Sequence, residues 1–223
     1  MKKILISIVT IFAISFFALA EMTIYVYKKD GTKVPFVAVE VDSIGFINTQ
    51  GMHNNYIWVD LGLPSGVKWA SVNVGGSSPE DVGDYFAWGE IESKSDFTEV
   101  NYVYKDVPEV LPISADAANV NWGGSWRMPT DNDVKELNKN TKCELITYNG
   151  VECVKITSKI NGSSILVPRV ELDCLFWTSN GSYMVIGHST VVWRGHVVSF
   201  YDDELSIPVT APYHGRPIRP VLP

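Results

Sequence analysis

The sequence contains few of the residues and motifs from which catalytic and metal sites are built. It has 3 cysteines and 4 histidines in 223 residues, and the histidines show no metal-ligand spacing. It has no G-x-S-x-G elbow, no H-E-x-x-H pair and no glycine-rich phosphate loop. These absences exclude the common motif-defined hydrolases, metalloproteases and nucleotide-binding enzymes. We therefore expect a protein without catalytic residues, metal or cofactor.

The histidines are scattered along the chain, at His53, His188, His196 and His214. His188 and His196 can share the surface of a strand pair, but isolated histidines of this kind are usually exposed to solvent. We therefore predict that none of them forms a site.

Positive charge is also scarce, with 18 Lys and Arg against 25 Asp and Glu and a formal net charge of −7. Nucleic-acid-binding domains are usually basic, so no nucleic-acid partner is expected. Hydrophobic residues make up 46% of the chain and charged residues 19%. This composition is typical of a globular protein with one sizeable core and an appendage.

A long apolar run occurs at the start of the chain. Lys2 and Lys3 precede the run, which ends in an Ala-Leu-Ala triplet at Ala20. This layout predicts a signal peptide over residues 1 to 20; a membrane anchor is the weaker alternative, because the run is short. Position 21 is Glu rather than the Cys of a lipid-modified signal. We expect an exported protein at the cell surface, in the periplasm or outside the cell, which does not span the membrane after cleavage.

Three cysteines, Cys143, Cys153 and Cys174, follow this segment. An odd number in an exported protein allows one disulfide and one remaining thiol, and buried free thiols are the alternative. A two-residue Asn-Gly turn would set Cys153 opposite Ile146, which argues against a bridge between Cys143 and Cys153. The sequence leaves the pairing open.

Strand patterns dominate the rest of the chain. Residues 21–50 contain β-branched and aromatic runs broken by a turn signal at 29–32, which predicts a small N-terminal β segment. The stretch 49–55 is polar and unpatterned and indicates a boundary near Gly51, followed by one domain over 51–223. Within that domain we predict short strands in IWVDLGLPSGVKWASVNVG, GDYFAWGE, CELITYNGVECVKIT, SSILVP, CLFWTSN, SYMVIG, VVWRGHVVSFY and RPIRPVLP.

Two helices are predicted. The longer begins after Thr130, whose side chain can cap the amide of Asp133. The shorter lies near residues 114–120, with Ser114 or Asp116 as its cap. Two short helices among many strands predict an α+β fold that is mostly β.

The segments YIWVDLGLPSGVKWASVNVG, GDYFAWGE, DAANVNWGGSWRMPT, FWTSN and GRPIRPV, in this order, resemble the Fibrobacter succinogenes major paralogous domain family. The resemblance runs from about Tyr56 to Val221. It implies a C-type-lectin-like domain with a twisted antiparallel sheet, two helices and a long loop region. The preceding β segment is similar to a leader found in exported proteins of Bacteroidota, which implies the envelope or gut surface of that group.

The signature residues of these segments are expected to be structural. Tryptophans offer large apolar areas, which suit a core with few helices. Arg127 can pair with a carboxylate or a carbonyl at the helix entry, and Arg216 and Arg219 can tie the last strand to the body. The expected structural set is Trp69, Trp88, Trp122, Trp126, Arg127, Pro129, Thr130, Trp177 and Arg219.

The sugar-binding motifs of calcium-dependent lectins, Glu-Pro-Asn and Trp-Asn-Asp, are absent, so the resemblance implies a scaffold but does not by itself assign a carbohydrate site to it. Asp202-Asp203-Glu204 has oxygens that suit calcium, yet such a cluster is more often a solvated turn. The expected binding surface combines residues 92–112 with 178–195. Its candidate ligand-binding aromatics, any of which can instead be buried, are Tyr102, Tyr104, Tyr183 and Trp193.

The expected function is an exported, non-catalytic binding or adhesion module of the bacterial envelope, with a glycan or a surface protein as ligand. The alternative is a structural or fimbria-associated subunit that assembles through its N-terminal β segment.

Overall fold

The chain divides into two compact units, Met1–Ile47 and Asn48–Pro223. A computed structural model describes residues 23–27, 31–37, 49–106, 108–170, 174–187 and 190–223. The expected signal peptide and His188 lie outside the described residues.

The N-terminal unit contains an antiparallel pair of strands, β1 (Thr23–Tyr27) and β2 (Lys33–Val37). Tyr25 lies opposite Pro35, and the ammonium of Lys33 lies 3.6 Å from the centre of the Tyr25 ring. Pro35 has no backbone N–H to donate, so β2 can occupy only the edge of a larger sheet at this position.

The second unit combines two helices with short strands. The helices are α1 (Ala117–Trp122), which follows a 3₁₀ turn at Ile113–Ala115, and α2 (Asp131–Asn140). The strands are β3 (Gln50–His53), β4 (Tyr56–Val59), β5 (Lys68–Ala70), β6 (Thr141–Tyr148), β7 (Val151–Ser158), β8 (Ser164–Pro168), β9 (Cys174–Ile186), β10 (Thr190–Tyr201), β11 (Glu204–Ser206), β12 (Val209–Thr210) and β13 (Val221–Leu222).

The strands of this unit form antiparallel sheets. One has the order β13-β5-β4-β3, a second has the order β6-β7-β8, and in the third β9, β11 and β12 all pair with β10. Two short helices packed with antiparallel sheets confirm the predicted α+β, mostly β class.

The longer helix, α2, begins where the sequence predicts, and α1 begins after Asp116, one of the two residues proposed as its cap. The Thr130 hydroxyl accepts a hydrogen bond from the Asp133 amide at 3.3 Å, and the Asp133 carboxylate accepts one from the Thr130 amide at 2.6 Å. This reciprocal capping box satisfies two amides that the first turn leaves without helical partners. Asp116 caps α1 by accepting from the amide of Asn119 at 3.0 Å.

The β6–β7 hairpin has the predicted two-residue turn. Asn149 and Gly150 adopt φ of 48° and 84°, as a type I′ turn requires. The register places Cys153 opposite Ile146, and Cys143 and Cys153 are buried free thiols. The argument against a bridge between them is confirmed.

The structure corrects the prediction for residues 49–55. Gln50–His53 and Tyr56–Val59 form a hairpin joined by Asn54 and Asn55, with φ of 46° and 67°. Asparagine tolerates this left-handed conformation, so two asparagines make a tight turn without a glycine signal. Gln50 therefore belongs to the second unit rather than to the N-terminal segment.

A second correction concerns CLFWTSN and SYMVIG, which we predicted as separate strands. They form one strand of 13 residues, β9, whose Asn180-Gly181 step does not turn. The chain stays extended here because it pairs with β10 and with a neighbouring loop. Tertiary pairing overrides the local turn preference.

Candidate functional site

A bulge in the β9–β10 ladder is the most irregular part of the sheet. Gly195 pairs with Gly181 and Val197 pairs with Trp177, so three residues of β9 lie opposite His196 alone. Bulges redirect side chains and are frequent next to functional sites. Here the redirected residues carry polar side chains.

The backbone of β9 at the bulge and at Gly181 also bonds to segments outside the β9–β10 pair. The Ser179 carbonyl accepts from the Leu111 amide at 2.9 Å, and the Ser179 amide donates to the Pro129 carbonyl at 2.8 Å. The Gly181 amide donates to the Glu109 carbonyl at 3.0 Å. These bonds hold the bulge against the loop before α1 and against the start of α2.

A chain of polar side chains crosses this bulge from strand to helix. The Ser182 Oγ lies 2.8 Å from His196 Nε2, and His196 Nδ1 lies 2.7 Å from Asp131 Oδ2. The Thr178 hydroxyl donates to Asp131 Oδ1 at 2.8 Å. With an ionised Asp131, Nδ1 of a neutral His196 carries the proton and Nε2 accepts from Ser182.

The position of Asp131 favours its ionised form. Burial alone would raise its pKa, but hydrogen bonds from His196 and Thr178 outweigh burial and hold the pKa below its usual value. Asp131 is also the first residue of α2, where the helix dipole stabilises a negative charge.

A cavity of about 650 Å³ opens beside this chain. Ser182 and His196 lie in its wall together with Asn180, Lys135, Tyr183 and Trp193. Its size falls in the range of small-molecule sites, ~300–1,000 Å³. The wall therefore combines aromatic faces with hydroxyl, amide, imidazole and ammonium groups.

The aromatic wall is a cross-strand pair. Tyr183 and Trp193 lie opposite each other on β9 and β10, with ring centres 4.9 Å apart and an edge-to-face angle of 73°. Trp193 also lies 5.5 Å from the ring of Trp88 in the core. The Trp193 ring covers Gly181, where a Cβ would lie 2.1 Å from its Cζ2 atom. Only glycine leaves room for this ring position.

The structure separates the four predicted ligand-binding aromatics. Tyr183, with 61% of its surface exposed, and half-buried Trp193 line the cavity. Tyr104 lines a different cavity of about 520 Å³, with its ring 6.0 Å from Trp88. Tyr102 is buried and donates its hydroxyl to the Trp88 carbonyl at 2.8 Å, so it is not presented to a ligand.

The tryptophans of the signature set, Trp69, Trp88, Trp122, Trp126 and Trp177, are all buried. Trp88 Nε1 donates to the Thr178 carbonyl at 3.0 Å, which ties the bulge to the core. Its neighbour Trp177 donates to the Phe86 carbonyl at 2.8 Å. These bonds make the core a support for the site.

The signature arginines and the helix entry are arranged around carbonyls and one carboxylate. Arg127, two residues before buried Pro129, forms a two-pronged pair with Asp133 at 2.7 and 3.2 Å. Fully buried Arg219 donates to the carbonyls of Ala70 and Leu166 at 3.1 and 2.9 Å. Burial lowers the pKa of Arg219 to about 9.

The Ser182–His196–Asp131 hydrogen bonds cannot be predicted from the sequence. The scattered histidines are expected to be exposed, but the His196 side chain is only 17% exposed and has a partner at each ring nitrogen. The prediction is wrong for His196, because residues at separate positions meet only through the bulge. The one sequence feature that could indicate this contact is that His196 lies on a predicted strand next to the predicted strand that contains Ser182.

The candidate calcium cluster is a hairpin turn between β10 and β11. Asp202 and Asp203 are exposed and adopt φ of 52° and 61°. Within the described ranges, no group of three or more His, Cys, Asp or Glu side chains is placed to hold a metal ion. Of the helices that the structure describes, none has the length and apolar character to cross a membrane.

Comparison of the chain with protein-family models, with curated proteins and with solved structures gives no match.

Proposed function

We propose that this protein is an exported carbohydrate-binding module of the bacterial envelope, with its site in the cavity at the β9–β10 bulge. The observation that supports this proposal most directly is the Tyr183–Trp193 pair, which lies in the cavity wall beside Asn180, Lys135 and Ser182. Sugars present apolar C–H faces that pack on aromatic rings and hydroxyls that bond to amides and charged groups. A concave wall of this composition suits a glycan better than the flat surface of a protein partner.

We also propose that the chain belongs to the Fibrobacter succinogenes major paralogous domain family and has a C-type-lectin-like fold. The order of the quoted motifs supports this placement, and two helices with antiparallel sheets are compatible with it. Export is supported by the signal-like layout of residues 1 to 20.

A glycan-array screen of the purified protein, with and without calcium, tests the proposal. We expect glycan binding that Trp193→Ala weakens about tenfold or more, because buried aromatic anchors typically contribute ~1–2 kcal/mol or more. Tyr201→Ala is the matched control, since Tyr201 is an exposed aromatic on the same strand that does not line the cavity. Absence of glycan binding, or equal loss in both variants, would contradict the proposal.

The alternative function, assembly as a surface subunit, has one observation in its favour. In the described part of the N-terminal unit, β1 pairs only with β2, and isolated two-stranded sheets are marginally stable in water. A strand from another copy would extend the sheet. Sedimentation of the purified protein would show concentration-dependent oligomers if this alternative holds and a monomer at all concentrations if it does not.

A further inference from the structure

The Ser182–His196–Asp131 chain has the connectivity of a nucleophile, a general base and an orienting carboxylate. The base lies 2.8 Å from the hydroxyl and 2.7 Å from the carboxylate, both within the range of good hydrogen bonds. Triads of this kind recur on unrelated folds and are recognised by geometry and roles rather than by sequence order. The absence of a G-x-S-x-G elbow therefore does not exclude one.

The carboxylate that orients His196 is fixed by several hydrogen bonds. Asp131 accepts hydrogen bonds from His196 and Thr178, and its backbone amide donates to Asn180 Oδ1 at 2.9 Å. The imidazole is thereby fixed with Nδ1–H toward the carboxylate and Nε2 toward the serine. Asp131 and Thr178 are positioning residues, because they act through His196.

The Ser182 end of the Ser182–His196–Asp131 series of hydrogen bonds is open to the cavity. Ser182 and His196 both lie in the cavity wall and keep some exposure, so a bound molecule can reach the Ser182 oxygen. Lys135 and Asn180 lie in the same wall. The amide Nδ2 of Asn180 donates no hydrogen bond within the described residues.

We propose that Ser182 is an acyl-accepting nucleophile and that the cavity hydrolyses carboxylic esters carried by a bound carbohydrate. This inference replaces the expectation of a non-catalytic module, and its substrate class depends on the proposed function. Ser182 Oγ attacks the ester carbonyl and passes its proton to His196 Nε2. The carbon–oxygen bond to the sugar breaks, and the sugar oxygen takes that proton from His196.

Water completes the reaction. It attacks the acyl-serine carbonyl while His196 removes a proton, and the bond to Ser182 Oγ breaks. His196 returns the proton to Ser182, so the free acid and the deacylated protein are released. The net reaction consumes one ester and one water and needs no oxidant, reductant or metal.

Covalent labelling with a fluorophosphonate probe tests the nucleophile without any carbohydrate. We expect mass spectrometry to locate the probe on Ser182, with no labelling of Ser182→Ala and about 100-fold slower labelling of His196→Gln. Ser65→Ala is the matched control, because the Ser65 hydroxyl bonds to Glu136 without a histidine. The rate of 4-nitrophenyl acetate hydrolysis should be equal in the parent protein and Ser65→Ala, lower in His196→Gln and lowest in Ser182→Ala.

The outcomes separate this inference from the binding function. If the folded parent protein binds glycans but Ser182 does not react with the probe, the assignment of Ser182 as nucleophile is overturned and the binding function is retained. Labelling of Ser182 without glycan binding supports the nucleophile and overturns the carbohydrate assignment. Equal ester hydrolysis by the parent and Ser182→Ala, with both proteins shown to be folded by circular dichroism, also overturns the nucleophile.

Discussion

At the scale of single residues, Gly181 sets the position of the Trp193 ring. A Cβ at this position would lie 2.1 Å from Trp193 Cζ2, far inside van der Waals contact. The ring would have to leave its place between Tyr183 and Trp88. The glycine thus determines the shape of the aromatic wall of the cavity.

We expect Gly181→Ala to lower the free energy of unfolding by about 1–3 kcal/mol, as overpacking does, and to weaken glycan binding. Urea unfolding measures the first effect. In a Trp193→Ala background the same substitution should cost much less, because the clashing ring is gone. Equal costs in the two backgrounds would contradict this account of Gly181.

At the scale of elements, the start of α2 joins the capping box to the site. Its first residue, Asp131, holds His196, and its third, Asp133, accepts from Thr130 and Arg127. Burial alone would raise the pKa of Asp133, but the bonds from Arg127 and Thr130 outweigh burial and keep it below its usual value. Both carboxylates therefore stabilise the fold in their ionised form.

A carboxyl group with a lowered pKa contributes its full stability above the unfolded-state pKa, ~3.9 for Asp, and loses it as the pH falls through the folded-state pKa. We expect the free energy of unfolding to decrease from about pH 5 to about pH 2, and less steeply in Asp133→Asn. Burial raises the pKa of Asp116. Its contribution to the pH dependence of the free energy of unfolding therefore has the opposite sign.

Urea titrations at each pH measure the difference between the parent protein and Asp133→Asn. Glu99→Gln is the control, since it removes an exposed carboxylate without touching the helix start. Parallel curves for the parent and Asp133→Asn would show that the capping box and the Arg127 pair do not carry this dependence.

Elements defined by local chemistry could be predicted from the sequence. The Thr130 cap and the Asn149-Gly150 turn depend on neighbours within a few residues, and the structure has both where they were expected. Asp116, which caps α1, is one of the two caps that the sequence offered. The β3–β4 hairpin and the continuity of β9 were not predicted. The hairpin turns at two asparagines, which give no glycine signal. The continuity of β9 depends on pairing with β10 and with the loop at Val110, which a local pattern does not indicate.

At the scale of the whole molecule, the candidate site is assembled from the start of α2 and from both strands of the β9–β10 hairpin. Tyr183 and Trp193 could be selected from the sequence as aromatics on adjacent predicted strands. Ser182, His196 and Asp131 could not, because the register shift between Gly195 and Val197 brings them together. A periodic pattern predicts which face a residue takes but not where a ladder is interrupted.

The central claim is that ligands enter the cavity beside Trp193, and the indole N–H signals of the protein test it most directly. The chain has 7 tryptophans, so a ¹H–¹⁵N spectrum separates Trp193 from buried Trp69, with Trp193→Phe providing the assignment. On titration with a glycan selected from the array, we predict that the Trp193 signal shifts while that of Trp69 stays in place. A binding glycan that leaves the Trp193 signal unmoved would contradict the account.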